Sequence, residues 1–236
     1  LPDNAGVVFP SGWKLDKQPG QILNSGSGPV LQVSGDGSRY NYWLSAPCGL
    51  QGGHIYMLSF LGRSPDRASG VIVSGPIGYN TDRFCSFTPN WESCADIIVL
   101  PIGRPDARVR MGQWTLNGTA EFKDISLVEV FPVYSRHGGI VLGNGERLNG
   151  NEYSFSPSFL SRGHAEARVL DRLNADFNTS RLVFGKGQDV VYHFRIGDRM
   201  LQDARVEVGI FYYECGDLLV EASVDRREWK LIGAKR

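Results

Sequence analysis

Glu146 and Glu152 flank the turn residues around Leu148. Two carboxylates about 5–9.5 Å apart are what acid–base cleavage of an acetal requires. Asp66, Asp82, Glu92, Asp96, Asp171 and Asp176 widen the choice, yet each also has the ordinary reading of a solvated loop or strand-edge charge. His54, His137, His164 and His193 show neither H-x-x-x-H nor H-E-x-x-H spacing, so metal-assisted hydrolysis finds no ligand set among them. No Gly-x-Ser-x-Gly turn is present to activate a serine. Gly185-Lys186-Gly187 and Gly143-Asn144-Gly145 lack the length and the following helix of a phosphate-binding loop, and read as β-turns. Cys48, Cys85, Cys94 and Cys215 make no C-x-x-C pair. Cys85 and Cys94 flank a short Pro-containing segment and could meet as a disulfide; the other reading is reduced thiols packed as small hydrophobes.

The elements that must carry these groups are strands. Glycines (29) and prolines (12) punctuate short apolar runs, which is the all-β pattern. The run Ile55 to Leu61 is apolar on both parities and is expected to be covered on both faces. From Gly112 to Val130 the inward parity changes: Ala120 and Phe122 fall on one face, Ile125 and Leu127 on the other. One extra residue near Lys123-Asp124 restores the register, which predicts a β-bulge there. Past Val130, Pro132 and Gly138-Gly139 interrupt the pattern, giving an expected boundary between residues 1–132 and 133–236. Arg205 to Tyr213 alternates, with Val206, Val208, Ile210 and Tyr212 on one side, and is expected to pair with Leu218 to Val224 across the turn at Glu214 to Asp217.

Composition excludes several classes. Apolar content of 42% with 11% aromatics suffices for a buried core. The 25 basic and 25 acidic residues leave no basic surplus for nucleic acid. No apolar run approaches the ~20 residues needed to cross a bilayer, so membrane insertion is not expected. The chain opens at Leu1 rather than Met, so it is expected to be a processed or excised piece from which any signal peptide is already absent.

Residues 1 to 131 carry Pro10-Ser11-Gly12-Trp13, Val30-Leu31-Gln32-Val33-Ser34-Gly35 and Tyr42-Trp43-Leu44-Ser45-Ala46-Pro47. They continue with Gly53-His54-Ile55-Tyr56-Met57-Leu58-Ser59-Phe60 and close with Phe122-Lys123-Asp124-Ile125-Ser126-Leu127. In these pieces the chain resembles carbohydrate-binding modules of the family 4/9/16/22 jelly-roll group. The tail Ser223-Val224-Asp225-Arg226-Arg227-Glu228-Trp229 resembles the Ser-x-Asp-Gly-x-x-Trp strand of discoidin-like and galactose-binding-like sandwiches, with Arg226 in the place of glycine.

The resemblance implies two consecutive antiparallel β-sandwich domains, the second incomplete at its C-terminus. It implies non-catalytic binding of a polysaccharide or glycan, as an accessory region of a larger secreted glycan-degrading or cell-surface protein. In the family register Trp43 and Ser45 point to the binding face while Tyr42 and Leu44 point to the core. Trp43 is then the stacking platform, Tyr40, Tyr79 and Trp91 are loop or rim rings, and Arg110 and Gln113 are the polar partners. Trp13, Trp114 and Trp229 read as packing residues. A structural calcium is the one cofactor implied; Lys123 occupies the first of the two acidic positions that precede the last strand, leaving Asp124 as the ligand. Sandwiches host other roles too. An interaction module of an extracellular assembly, or a β-sandwich lyase or hydrolase marked by Glu146 and Glu152, are the alternative expectations.

Overall fold

Val109–Glu129 is the longest strand among the described residues and joins two layers of one continuous sheet. A computed structural model describes residues 7–26, 28–86, 88–103, 107–132, 134–137, 139–157, 159 and 168–236, with backbone alone at 83–86 and 137. The first ten strands are β1 (Val7–Val8), β2 (Lys14–Leu15), β3 (Gly20–Ser25), β4 (Gly28–Asp36) and β5 (Tyr40–Leu44), then β6 (Ile55–Arg63), β7 (Ser69–Pro76), β8 (Tyr79–Ser86), β9 (Glu92–Val99) and β10 (Val109–Glu129).

The N-terminal part of β10 lies between β5 and β7, with Gly112 opposite Tyr42 and Val73. Its C-terminal part lies between β4 and β6, with Glu121 opposite Gln32 and Arg63. Around this shared strand one layer runs β3-β4-β10-β6-β9, and the other runs β2-β5-β10-β7-β8. Leu31, Val33, Leu58, Phe60, Ala120 and Phe122 of the first layer share one core with Trp43, Ile72, Val109 and Met111 of the second. The protein is all-β, a sandwich closed over that core. Each large side chain fully withdrawn from water there contributes about 1.5–3 kcal/mol.

Two bulges bend β10 between its roles. Between Trp114 and Asn117 it advances three residues while β7 advances two, and Thr115 takes a φ of 55°. Between Lys123 and Ser126 the same happens against β6, with Asp124 at φ 52°. Each extra residue switches the inward parity: Met111 and Gln113 face the core, then Leu116, Ala120 and Phe122, then Ile125 and Leu127. The expected bulge at Lys123-Asp124 is present; the one at Thr115 is additional. The strand β6 departs from expectation. Tyr56, Leu58 and Phe60 are buried, whereas Ile55, Met57, Ser59 and Leu61 stand half-buried on the far side, so only one face is fully covered.

Past residue 133 the described strands are short. They are β11 (Ser135–His137), β12 (Ile140–Leu142), β13 (Glu146–Asn149), β14 (Glu152–Phe155), β15 (Leu170–Asn174), β16 (Asp176–Asn178), β17 (Arg181–Val183) and β18 (Asp189–Tyr192). β16 pairs in parallel with β8, Phe177 opposite Tyr79, and so extends the second layer from beyond position 132. The others pair locally, β11 with β12, β13 with β14 and β15 with β18.

The chain divides into two compact units, Leu1–Arg199 and Met200–Arg236. The second contains a hairpin of β19 (Leu218–Ala222) and β20 (Lys230–Lys235). Its turn is built by Asp225 Oδ1, which accepts from the Arg227 and Glu228 amides at 2.8 and 3.0 Å. Arg226 takes the left-handed φ of 65° at the place the resembling motif gives to glycine. The expected pairing of Arg205–Tyr213 with 218–224 is not found. β19 takes β20 instead, and 205–213 joins no ladder among the described residues.

Candidate functional site

The outward side of the second layer gathers Tyr40, Tyr42 and Trp114. Because β5 pairs with β10 so that Trp43 meets Met111, its odd residues turn inward and Tyr40 and Tyr42 turn outward. Their rings are stacked, with centroids 5.9 Å apart and planes 11° from parallel. Trp114 lies opposite Tyr40 in the register, with its ring centroid 6.1 Å away. The bulge at Thr115 leaves Trp114 on this face: Trp114 is 48% exposed and Tyr40 41%. Between Arg110 and Trp114 the same side of β10 carries only Gly112, where a Cβ would collide with Tyr42 and with the Asn41 carbonyl.

Polar groups close both ends of this strip. Lys17 Nζ sits 3.8 Å from the centre of the Tyr40 ring. The Tyr40 hydroxyl beside it raises the Lys17 pKa. At the other end the Arg110 guanidinium lies 5.4 Å from the Tyr42 ring and 3.4 Å from Asp82 Oδ1. Thr179 Oγ1 donates to Asp82 Oδ2 at 2.8 Å, bringing a residue from beyond β16 into the site. Burial lowers the Arg110 pKa, with Asp82 opposing the shift. Arg110 Nε and Asn80 Oδ1 are buried without a hydrogen-bond partner among the described residues. Burial also raises the Tyr42 phenol.

Of the expected ligand-binding residues, Tyr40 and Arg110 meet here, joined by Asp82 from the candidate carboxylates, and the other four lie elsewhere. Trp43 is a core residue, 6% exposed, with its indole N–H donating to the Gln32 carbonyl at 3.0 Å. The family facing of β5 is therefore reversed, and Ser45 is buried with Trp43. Gln113 is also internal. Its amide donates to Asn41 Oδ1 at 2.6 Å and to the Arg39 carbonyl at 3.0 Å. Tyr79 is wholly buried, stacked on Phe177 with centroids 4.6 Å apart, because β16 covers the edge on which a rim residue would stand. Trp91 lies by the outward side of the first layer, its ring flanked by Arg63 at 4.4 Å and Lys123 at 4.7 Å.

Sequence reasoning missed Tyr42, assigned to the core, and Trp114, assigned to packing. The signal for Trp114 was the parity of Val109 and Met111, two core residues that put Arg110, Gly112 and Trp114 on the opposite side; the facing of Tyr42 follows only from the pairing of β5 with β10.

The other candidate groups are differently occupied. Glu146 is held by Arg168, whose Nε donates to Oε2 at 2.8 Å and whose second nitrogen meets Oε1. Tyr153 Oη donates to it at 2.6 Å and the Gly143 amide at 2.5 Å. Burial would push this carboxyl up, but the hydrogen bonds outweigh it and hold its pKa below the usual value. Glu152 is exposed on β14. Asp124 is exposed on its bulge, and no group of three or more His, Cys, Asp or Glu able to hold a metal forms among the described residues. The Cys85 side chain lies outside the described set, and with it the expected bridge to Cys94. No helix among the described residues is long and apolar enough to cross a membrane.

No protein-family model matches the sequence, and no curated protein matches it. Solved structures of similar form include the N-terminal cellulose-binding domain of a Cellulomonas fimi β-1,4-glucanase C, at 12% identity and a TM-score of 0.39, covering 54% of this chain and 97% of that one. The N-terminal tandem family 22 carbohydrate-binding modules of a Paenibacillus barcinonensis protein match at 14% identity and a TM-score of 0.40, over 55% of this chain and 51% of that one. The C-terminal family 6 module of a Zobellia galactanivorans laminarinase matches at 9% identity and a TM-score of 0.38, over 52% and 97%.

Proposed function

We propose that the outward face of the second layer binds a carbohydrate chain, without catalysing its cleavage. The observation that carries this reading is the pair of nearly parallel rings of Tyr40 and Tyr42 on one outward face, extended by Trp114 and bounded by charged groups. A pyranose has an apolar face of axial C–H groups and a rim of hydroxyls. Flat aromatic surface takes the first, and well-placed polar groups take the second. Arg110 and Asp82 supply a fixed donor and acceptor pair at one end of the strip. A shallow face of this kind supports an affinity near ~10⁻³–10⁻⁶ M.

Weak, preformed binding suits an accessory region that holds an attached enzyme or surface protein on a polysaccharide, raising its local concentration. Such a role belongs outside the cell, where the substrate is. The test is affinity electrophoresis and pull-down on a panel of soluble and insoluble polysaccharides. Retention of the wild type on at least one of them, abolished by Tyr40→Ala or Trp114→Ala with folding retained, is the expected result. Failure of the wild type to bind any member of the panel would overturn the reading.

A further inference from the structure

Among the described residues two β-branched side chains hold a left-handed φ, Thr115 at 55° and Thr179 at 59°. That conformation is unfavourable for such residues, and where it persists the surroundings hold it in place. Thr115 follows Trp114 at one end of the ring strip. Thr179 lies at the other end, 97 positions along the chain from Asp82, whose carboxylate it meets.

The backbone around Thr179 is fixed from several directions. β16 runs parallel to β8, with Phe177 opposite Tyr79 and Asn178 opposite Asn80. The Phe177 and Thr179 amides donate to the Gly78 and Asn80 carbonyls at 2.8 and 3.0 Å. The Phe177 ring stacks on Tyr79. So held, the Thr179 hydroxyl donates to Asp82 Oδ2 at 2.8 Å, while the Arg110 guanidinium donates to Oδ1 at 3.4 Å. The side chains of Asp82 and Arg110 are each only 13% exposed. A carboxylate so far withdrawn from water takes its orientation from its bonds, and of these two the one from Thr179 is the shorter.

Each Asp82 oxygen spends one acceptor position on these bonds and keeps another. A carboxylate fixed at both oxygens presents the remaining positions in set directions. Sugar hydroxyls meet them only in the matching axial or equatorial configuration. The rings of the strip take the C–H face of a pyranose and are far less sensitive to configuration, so discrimination falls to the polar end. The Asp82–Arg110 pair carries no net charge, which suits an uncharged sugar. On the basis of the carbohydrate-binding reading above, we propose that Thr179 is a positioning residue. It aligns Asp82, and through it Arg110, so that this end of the strip selects among neutral pyranose chains by hydroxyl configuration.

Isothermal titration of the full chain with soluble glucan, mannan, galactan and xylan, well below every thermal transition, tests this. The wild type should prefer one of the four. Thr179→Val keeps the side-chain shape without the hydroxyl. It should weaken the preferred ligand by about fivefold or more, the scale of a charge-assisted hydrogen bond, with smaller losses on the others. Thr179→Gly, which suits the left-handed backbone, should lose the same preference even if Thr179→Val fails to fold. Thr179→Ser restores the hydroxyl and should restore affinity and order of preference. Tyr42→Ala should weaken all four alike. A residue that only tied β16 to β8 would lower Tm and leave the order of preference unchanged. A wild type that binds the four equally, or only a charged polysaccharide, overturns this proposal and leaves carbohydrate binding standing. So does an unchanged preference in Thr179→Gly, or failure of Thr179→Ser to rescue. A wild type that binds no polysaccharide overturns both.

Discussion

Gln113 Oε1 accepts a hydrogen bond from the Leu116 amide at 2.8 Å, across the bulge where β10 leaves one layer for the other. The bulge removes Leu116 from its place in the ladder with β7, and the side chain of a residue three positions earlier satisfies its N–H. Gly35 packs against the same spot: a Cβ there would collide with the Leu116 carbonyl and the Gln113 amide. Gln113→Leu leaves the Leu116 amide and the Asn41 Oδ1 unsatisfied in the interior, at a cost of about 1–3 kcal/mol for each group. A fall in Tm of roughly 4–24 °C is expected by calorimetry, with polysaccharide retention kept at temperatures below the transition.

Tyr40→Ala and Trp114→Ala remove exposed rings, so Tm should change little. Affinity for the retained polysaccharide should fall at least about tenfold for each, the equivalent of ~1.4 kcal/mol. Trp43→Ala should do the reverse in kind, lowering stability by about 3–5 kcal/mol through the cavity it opens. Isothermal titration and thermal denaturation on the same three variants separate the two behaviours. Strong loss of affinity in a stable Trp43→Ala protein would contradict the facing of β5.

The pH dependence of the β13–β14 region follows from Glu146. Its folded pKa is held down, chiefly by the bonds from Arg168 and Tyr153 prevailing over the opposing effect of burial. The unfolded chain therefore binds the proton more readily. This contribution to stability is complete above the ordinary glutamate value of about 4.3 and is lost as pH falls through the lowered folded value. Glu146→Gln leaves the Arg168 guanidinium unpaired and should cost about 3 kcal/mol at neutral pH. Chemical denaturation at pH 7 and at successively lower pH should show the wild type converging on the variant in acid.

Thr115 holds a left-handed φ of 55° with a β-branched side chain, an unfavourable combination. Thr115→Gly relieves it, and the gain should exceed the extra flexibility given to the unfolded chain, for a net stabilisation of about 0.5–1 kcal/mol. Urea denaturation provides the measurement.

Much of this architecture is legible in the residues. The bulge at Asp124 can be read because Ala120 and Phe122 on one side of it, and Ile125 and Leu127 on the other, are all apolar and differ in parity. The bulge at Thr115 is concealed because one of its inward markers, Gln113, is polar and buried only by virtue of its hydrogen bonds. The facing of Tyr40-Asn41-Tyr42-Trp43 is ambiguous for a related reason: aromatic residues occupy both parities, and only pairing with β10 decides between them. Local pattern likewise makes 205–213 a strand, yet pattern supplies no partner, and the hairpin that forms excludes it. Glu146 reads as a free carboxylate until Arg168, 22 positions later, is brought beside it.

β10 takes neighbours from β1, β4, β5, β6 and β7, which together span nearly all of the preceding sequence. Neither layer can close before this strand has been synthesised. During translation the earlier hairpins must wait with their edges bare until Glu129 leaves the ribosome. Assembly is then dominated by distant pairings, which places the sandwich among slow folders that rely on protection from aggregation while they wait.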